Sequence, residues 1–90
     1  MSDEAESYSV QIAPAAWRQL MKLDEKMQGR VDDAIDALAS EPRPSGCKKL
    51  SGTDNTYRVR VGDFRIIYDI EDDVLKVLVV TIGNRRDVYD

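Results

Sequence analysis

Ninety residues, 42% hydrophobic and 33% charged, suffice for one compact domain with a modest core and exclude a second. No apolar run approaches the roughly 18 residues that cross a bilayer, and the opening Met1-Ser2-Asp3-Glu4-Ala5-Glu6-Ser7 lacks the basic and apolar stretches of a secretory signal, so a cytoplasmic location is expected. One cysteine, Cys47, and no histidine rule out an internal disulfide and remove the commonest metal ligand and general base, so neither metal nor cofactor is expected. The net charge of −4 argues against a polyanionic partner only until its distribution is read. Residues 1–41 hold nine acids and four bases, whereas residues 43–68 hold six bases and two acids. The cations are concentrated in one segment.

Residues 1–7 are acidic and aperiodic and read as a disordered tail, leaving 8–90 as the domain. Tyr8-Ser9-Val10-Gln11-Ile12 alternates apolar and polar side chains as a half-buried strand does. Pro14 suits the first turn of a helix over 14–22, in which Trp17, Leu20, Met21 and Leu23 are expected to form the apolar face. Asp24 can cap a second helix carrying Met27, Val31, Ala34, Ile35 and Leu38 at helical intervals, and Pro42, Pro44 and Gly46 end it. The two helices are expected as an antiparallel hairpin, followed by a loop containing Lys48 and Lys49.

Three runs rich in Val, Ile, Tyr and Phe come next: 57–61, 64–70 and 74–82. Gly62-Asp63 is a two-residue hairpin loop that pairs Val61 with Phe64, Arg60 with Arg65 and Val59 with Ile66. Asp72-Asp73 as a second such loop pairs Ile70 with Leu75 and Asp69 with Lys76. The expected fold is α+β: an N-terminal strand, a two-helix hairpin, then a three-stranded antiparallel meander whose sheet packs on the helices. In this register Tyr57, Val59, Val61, Phe64, Ile66, Tyr68, Ile70, Leu75, Val77 and Val79 line the core face. The opposite face holds Arg58, Arg60, Arg65, Ile67, Lys76, Leu78, Val80 and Ile82.

Arg60 opposite Arg65 is a like-charge cross-strand pair, which destabilises a sheet by some tenths of a kcal/mol. Three arginines on one face suit recognition of phosphate, because guanidinium binds its oxygens in a planar fork. Lys48 and Lys49 extend this patch, and Arg85, Arg86 and Tyr89 follow the last strand. Ile67, Leu78, Val80 and Ile82 form an apolar strip beside the arginines, the kind of surface that marks an interface.

Lys49-Leu50-Ser51-Gly52, Tyr57-Arg58-Val59-Arg60-Val61-Gly62-Asp63-Phe64-Arg65-Ile66-Ile67-Tyr68 and Gly83-Asn84-Arg85-Arg86-Asp87-Val88-Tyr89 resemble the successive motifs of the RelE/ParE toxin superfamily. The resemblance spans residues 8–90. It implies the toxin of a type II toxin–antitoxin system, an endoribonuclease that cuts messenger RNA on the ribosome by metal-independent attack of the 2′-hydroxyl on the adjacent phosphate. By the same resemblance Arg60, Arg65, Arg85 and Tyr89 are catalytic, with Arg65 at the scissile phosphate and Arg85 assisting the leaving group. Lys48, Lys49, Arg58 and Arg86 hold RNA. Ile67, Leu78, Val80 and Ile82 are expected to receive a RelB-like, acidic, partly disordered antitoxin. Arginine stands where some relatives have lysine, and Asn84 where many have histidine. Arginine is a poor general base, so Tyr89, Lys48, Lys49 and the ribosomal RNA all stand as acceptors of the 2′ proton. A ParE-like inhibitor of DNA gyrase and a module that only binds its antitoxin are the competing readings.

Overall fold

The computed structural model describes residues 7–84. The expected tail falls almost wholly outside them, as do Arg85, Arg86 and Tyr89. Strand β1 (Ser9–Ile12) enters the sheet with alternating exposure. Helix α1 (Pro14–Met21) starts with its proline in the first turn, where a missing N–H costs nothing. Helix α2 (Glu25–Ala37) is capped as its sequence predicts: the Met27 N–H donates to Asp24 Oδ1 at 2.8 Å. Strands β2 (Lys48–Lys49), β3 (Thr56–Val61), β4 (Phe64–Glu71) and β5 (Lys76–Asn84) complete a five-stranded sheet in the order β1-β5-β4-β3-β2. The α+β architecture agrees with expectation. The sheet gains one element, because Lys48 and Lys49 form a short edge strand antiparallel to β3 where a loop was expected. Strand β1 lies parallel to β5, the connection passing through the helices.

One sheet face is covered by the helices. Val31, Ile35 and Leu38 of the second helical segment meet Ile66, Tyr68, Ile70, Val77 and Val79 of the sheet, joined by Ala16 and Leu20. The buried stripe of α1 is therefore Ala16 and Leu20. Trp17 and Met21, expected on that stripe, are 50% and 47% exposed. A helix this short has one inward line, and the small Ala16 lets α1 lie close to β5.

The β3–β4 register is the expected one, Val61 opposite Phe64, Arg60 opposite Arg65 and Val59 opposite Ile66, with Gly62 at φ +60° in the turn. The β4–β5 register differs. A 3-10 turn over Asp72–Val74 and a left-handed Leu75 (φ 51°) replace the two-residue loop, so Glu71 opposes Lys76 and Ile70 opposes Val77. The slip is two residues. It preserves the faces of Val77 and Val79 and substitutes Glu71–Lys76 for the expected Asp69–Lys76 charge pair. A bulge then intervenes: Tyr68 opposes Val79 but Ile67 opposes Thr81, so Val80 is an extra residue. Beyond it every side chain changes face. Ile82 thus joins Ile66 in the core at 1% exposure, which corrects its expected place on the open face. Where β1 has ended, Gln19 of α1 accepts the Ile82 N–H at 2.8 Å and satisfies a donor the sheet does not pair.

Candidate nucleic-acid interface

The open face is organised in rows of directly paired residues. Lys48, Arg58, Ile67 and Thr81 form one row across β2, β3, β4 and β5. Arg60, Arg65 and Gly83 form the next, about 7 Å nearer the hairpin tip. Gly83 brings no side chain to crowd the guanidinium of Arg65. On the other side of the first row lie Thr56, Asp69, Leu78 and Gln11, with Thr56 Oγ1 donating to Asp69 Oδ1 at 2.6 Å. Arg58, Arg60, Arg65 and Lys48 therefore share one face, and the acidic group nearest them along β4 is engaged by a threonine.

Exposure grades this set. Arg60 and Lys48 are open to solvent, Arg65 is half-buried, and Arg58 is only 4% exposed. Arg60, Lys48 and Lys49 form no ion pair with any described residue. Lys49 opposes Tyr57, a core-face residue, so it lies on the other side of the edge strand from Lys48 and outside the cluster. The expected apolar strip is not assembled. Ile67 is 6% exposed and Ile82 lies in the core, which leaves Leu78 and Val80 as its partly exposed members. Among the described residues no group of His, Cys, Asp and Glu could hold a metal ion, and no helix is long and apolar enough to cross a membrane.

A second polar cluster escapes sequence reasoning. Asp72, in the β4–β5 turn, accepts from Tyr8 Oη at 2.6 Å and from both terminal nitrogens of Arg43, at 3.2 and 2.8 Å. Arg43 Nε also donates to Tyr57 Oη at 3.1 Å, with the guanidinium carbon 5.1 Å from that ring's centre. Tyr57 stacks on Tyr68, whose hydroxyl donates to the Pro42 carbonyl at 2.9 Å. These residues tie the helix-to-strand loop, β1 and the β4–β5 turn together at the end of the sheet far from the hairpin tip. The forked hydrogen bonds from Arg43, then the one from Tyr8, hold the Asp72 carboxyl below its ordinary range. The bond to Asp72 and then desolvation raise the Tyr8 phenol. Burial first, then the neighbouring Cys47, raises the Tyr68 phenol. The partners lie up to 64 residues apart. The one local signal is the stiff Pro42-Arg43-Pro44, which presents the arginine from a segment with restricted backbone.

This sheet packed on two helices is matched by known proteins. A family model described as ParE toxin of type II toxin-antitoxin system, parDE, matches residues 10–89. The chain belongs to this family. Toxin RelE of Mycobacterium tuberculosis is 30% identical over 99% of this chain and 92% of its own length, and Toxin RelG of the same organism is 29% identical over 91% and 95%. The archaeal RelE–RelB complex from Pyrococcus horikoshii superposes with a TM-score of 0.80 at 28% identity, covering 91% of this chain and 99% of that one. The isolated RelE toxin of Escherichia coli, at 20% identity and a TM-score of 0.76 over 87% and 84%, shares the fold. The resemblance seen in the sequence motifs is thus a membership in the RelE/ParE group of toxins.

Proposed function

We propose that this chain is the toxin of a type II toxin–antitoxin pair and acts as a ribosome-dependent endoribonuclease on messenger RNA. The observation that carries the reading is the register that sets the exposed Arg60 directly opposite the half-buried Arg65, with the exposed Lys48 and the buried Arg58 in the next row. A like-charge cross-strand pair costs a sheet some tenths of a kcal/mol, and paired guanidiniums suit the oxygens of a phosphate. In the proposed step the ribose 2′-hydroxyl gives its proton to a base as its oxygen attacks the adjacent phosphorus, the bond to the 5′-oxygen breaks, and that oxygen takes up one proton in return as it leaves. The products are a 2′,3′-cyclic phosphate and a 5′-hydroxyl. Arg65 and Arg60 would stabilise the added charge of the pentacoordinate phosphorus, an effect worth about 3 to 4 kcal/mol for one well-placed donor. Arg85 and Tyr89, assigned by resemblance to the leaving group and to substrate orientation, lie outside the described residues.

A chain of net charge −4 with one local cationic face binds free RNA weakly, and the ribosome supplies the orientation that such a face lacks. The antitoxin reading rests on the RelE–RelB complexes among the structural relatives. An acidic segment neutralises the open-face arginines, while Trp17 and Met21, one helical turn apart and half exposed, offer it an apolar foothold. Primer extension on a reporter transcript after induction tests the function. Codon-spaced cuts within the translated region support it, and intact messenger accompanied by trapped gyrase–DNA breaks supports the ParE-like alternative, which the family model's description makes the second reading.

A further inference from the structure

The hairpin tip is also approached from the helix side. Gly62 is exposed, holds φ +60° in the turn, and has two α2 side chains within contact distance of where a Cβ would sit. A Cβ at that position would lie 3.3 Å from Met27 Cε and 3.4 and 3.7 Å from the two terminal nitrogens of Arg30. The exposed Arg30 therefore lays its guanidinium over the turn, with Met27 beside it. Asp63 sits in the same turn and Asp33 one helical turn further along α2, yet Arg30 forms no ion pair with any described residue. Arg60 precedes Gly62 by two residues, about 7 Å of strand, and faces the other side of the sheet, directly opposite Arg65. Three guanidiniums thus surround one turn, one from the helix side and two from the open face.

We propose that Arg30 is an RNA-binding residue that takes a second backbone phosphate as the strand passes over the hairpin tip, next to the phosphate held by Arg60 and Arg65. This rests on the open-face reading above and adds to it a direction for the bound strand, around Gly62 toward α2. A single phosphate is served by the opposed pair alone; a cation around the edge has a use only when the ligand is a chain of phosphates. Glycine suits the left-handed turn at φ +60°, and the guanidinium lies within van der Waals reach of it.

The test is fluorescence anisotropy of a labelled single-stranded oligouridylate over a series of KCl concentrations. Loss of one phosphate contact flattens the slope of log K against log [KCl] by about 0.7. Arg30→Gln and Arg60→Gln are each expected to flatten it by that amount and to weaken low-salt binding about five-fold, their effects adding in the double variant. Arg30→Lys is expected to keep the wild-type slope, and so is Arg18→Gln, which removes a charge from α1. If Arg30→Gln behaves as wild type while Arg60→Gln does not, the role of Arg30 is overturned and the open-face reading stands. If Arg30→Lys loses as much slope as Arg30→Gln, the residue acts by packing on Gly62 and the proposal is equally overturned. If Arg30→Gln, Arg60→Gln and Arg65→Gln all behave as wild type, the open-face reading fails and takes this proposal with it. Circular dichroism checks folding, and Arg30→Met, a neutral side chain with good helix propensity, replaces Arg30→Gln should the latter unfold.

Discussion

Arg60 stands exposed and directly opposite Arg65, so replacing it separates stability from function. Arg60→Thr removes the like-charge contact and introduces a β-branched side chain suited to a strand. Its unfolding free energy from urea titration is expected to equal that of the wild type or exceed it by about a few tenths of a kcal/mol, while growth inhibition on induction falls sharply. A lower midpoint together with full toxicity would assign Arg60 a structural role. Asp72 carries a pH dependence of its own. Its carboxyl is held below the unfolded value of about 4, so its contribution is complete above that value and disappears as the pH falls through the still lower folded one. Tyr8 and Tyr68 work in the opposite sense. Their phenols are raised, so their contributions are complete below about pH 10 and are lost as the pH climbs through their folded values. In urea titrations the midpoint gap between wild type and Arg43→Met is expected to be widest near neutrality and to close toward pH 2. A gap independent of pH would place the value of Arg43 in its stacking on Tyr57 alone.

Local chemistry decides which elements the sequence reveals. The β3–β4 hairpin was legible because Gly62-Asp63 specifies both the turn and its register, and α2 because Asp24 and a four-turn apolar stripe agree. The β4–β5 turn was not, since its length is governed by Tyr8 and Arg43 gripping Asp72 from remote parts of the chain. Nor was the bulge: in the run Val77-Leu78-Val79-Val80-Thr81-Ile82 nothing distinguishes the residue that will be left unpaired. That single insertion moved Ile82 from the open face to the core and removed half the case for an apolar strip. The arginine cluster keeps its expected face because the extra residue lies in β5 and the β3–β4 register runs unbroken past it. Two variants test this register. Ile82→Ala is expected to cost about 2 to 4 kcal/mol, whereas Val80→Ala, at the partly exposed extra position, is expected to cost less than about 1 kcal/mol. Equal costs would contradict the bulge. Replacing the cap, Asp24→Ala, is expected to cost about 1 kcal/mol by the same denaturation assay.

At the scale of the whole molecule, the two faces of one sheet divide the work. The helices bury one face and stabilise the fold; the other groups cations, including the like-charge pair Arg60–Arg65. The acidic N-terminal half keeps the net charge negative, which weakens long-range attraction to nucleic acid, and on the function proposed above the local face would act on RNA delivered to it. Activity should therefore depend on the ribosome far more than on RNA concentration. The decisive measurement is single-turnover cleavage of an end-labelled messenger on programmed ribosomes, compared with the same messenger free in solution. The account predicts a 2′,3′-cyclic phosphate at codon-spaced positions on the ribosome, little cutting of free RNA at physiological salt, and a rate about 100 to 1,000 times lower for Arg65→Ala. Undiminished cleavage by Arg65→Ala, or a messenger left whole on the ribosome by the wild-type chain, would contradict it.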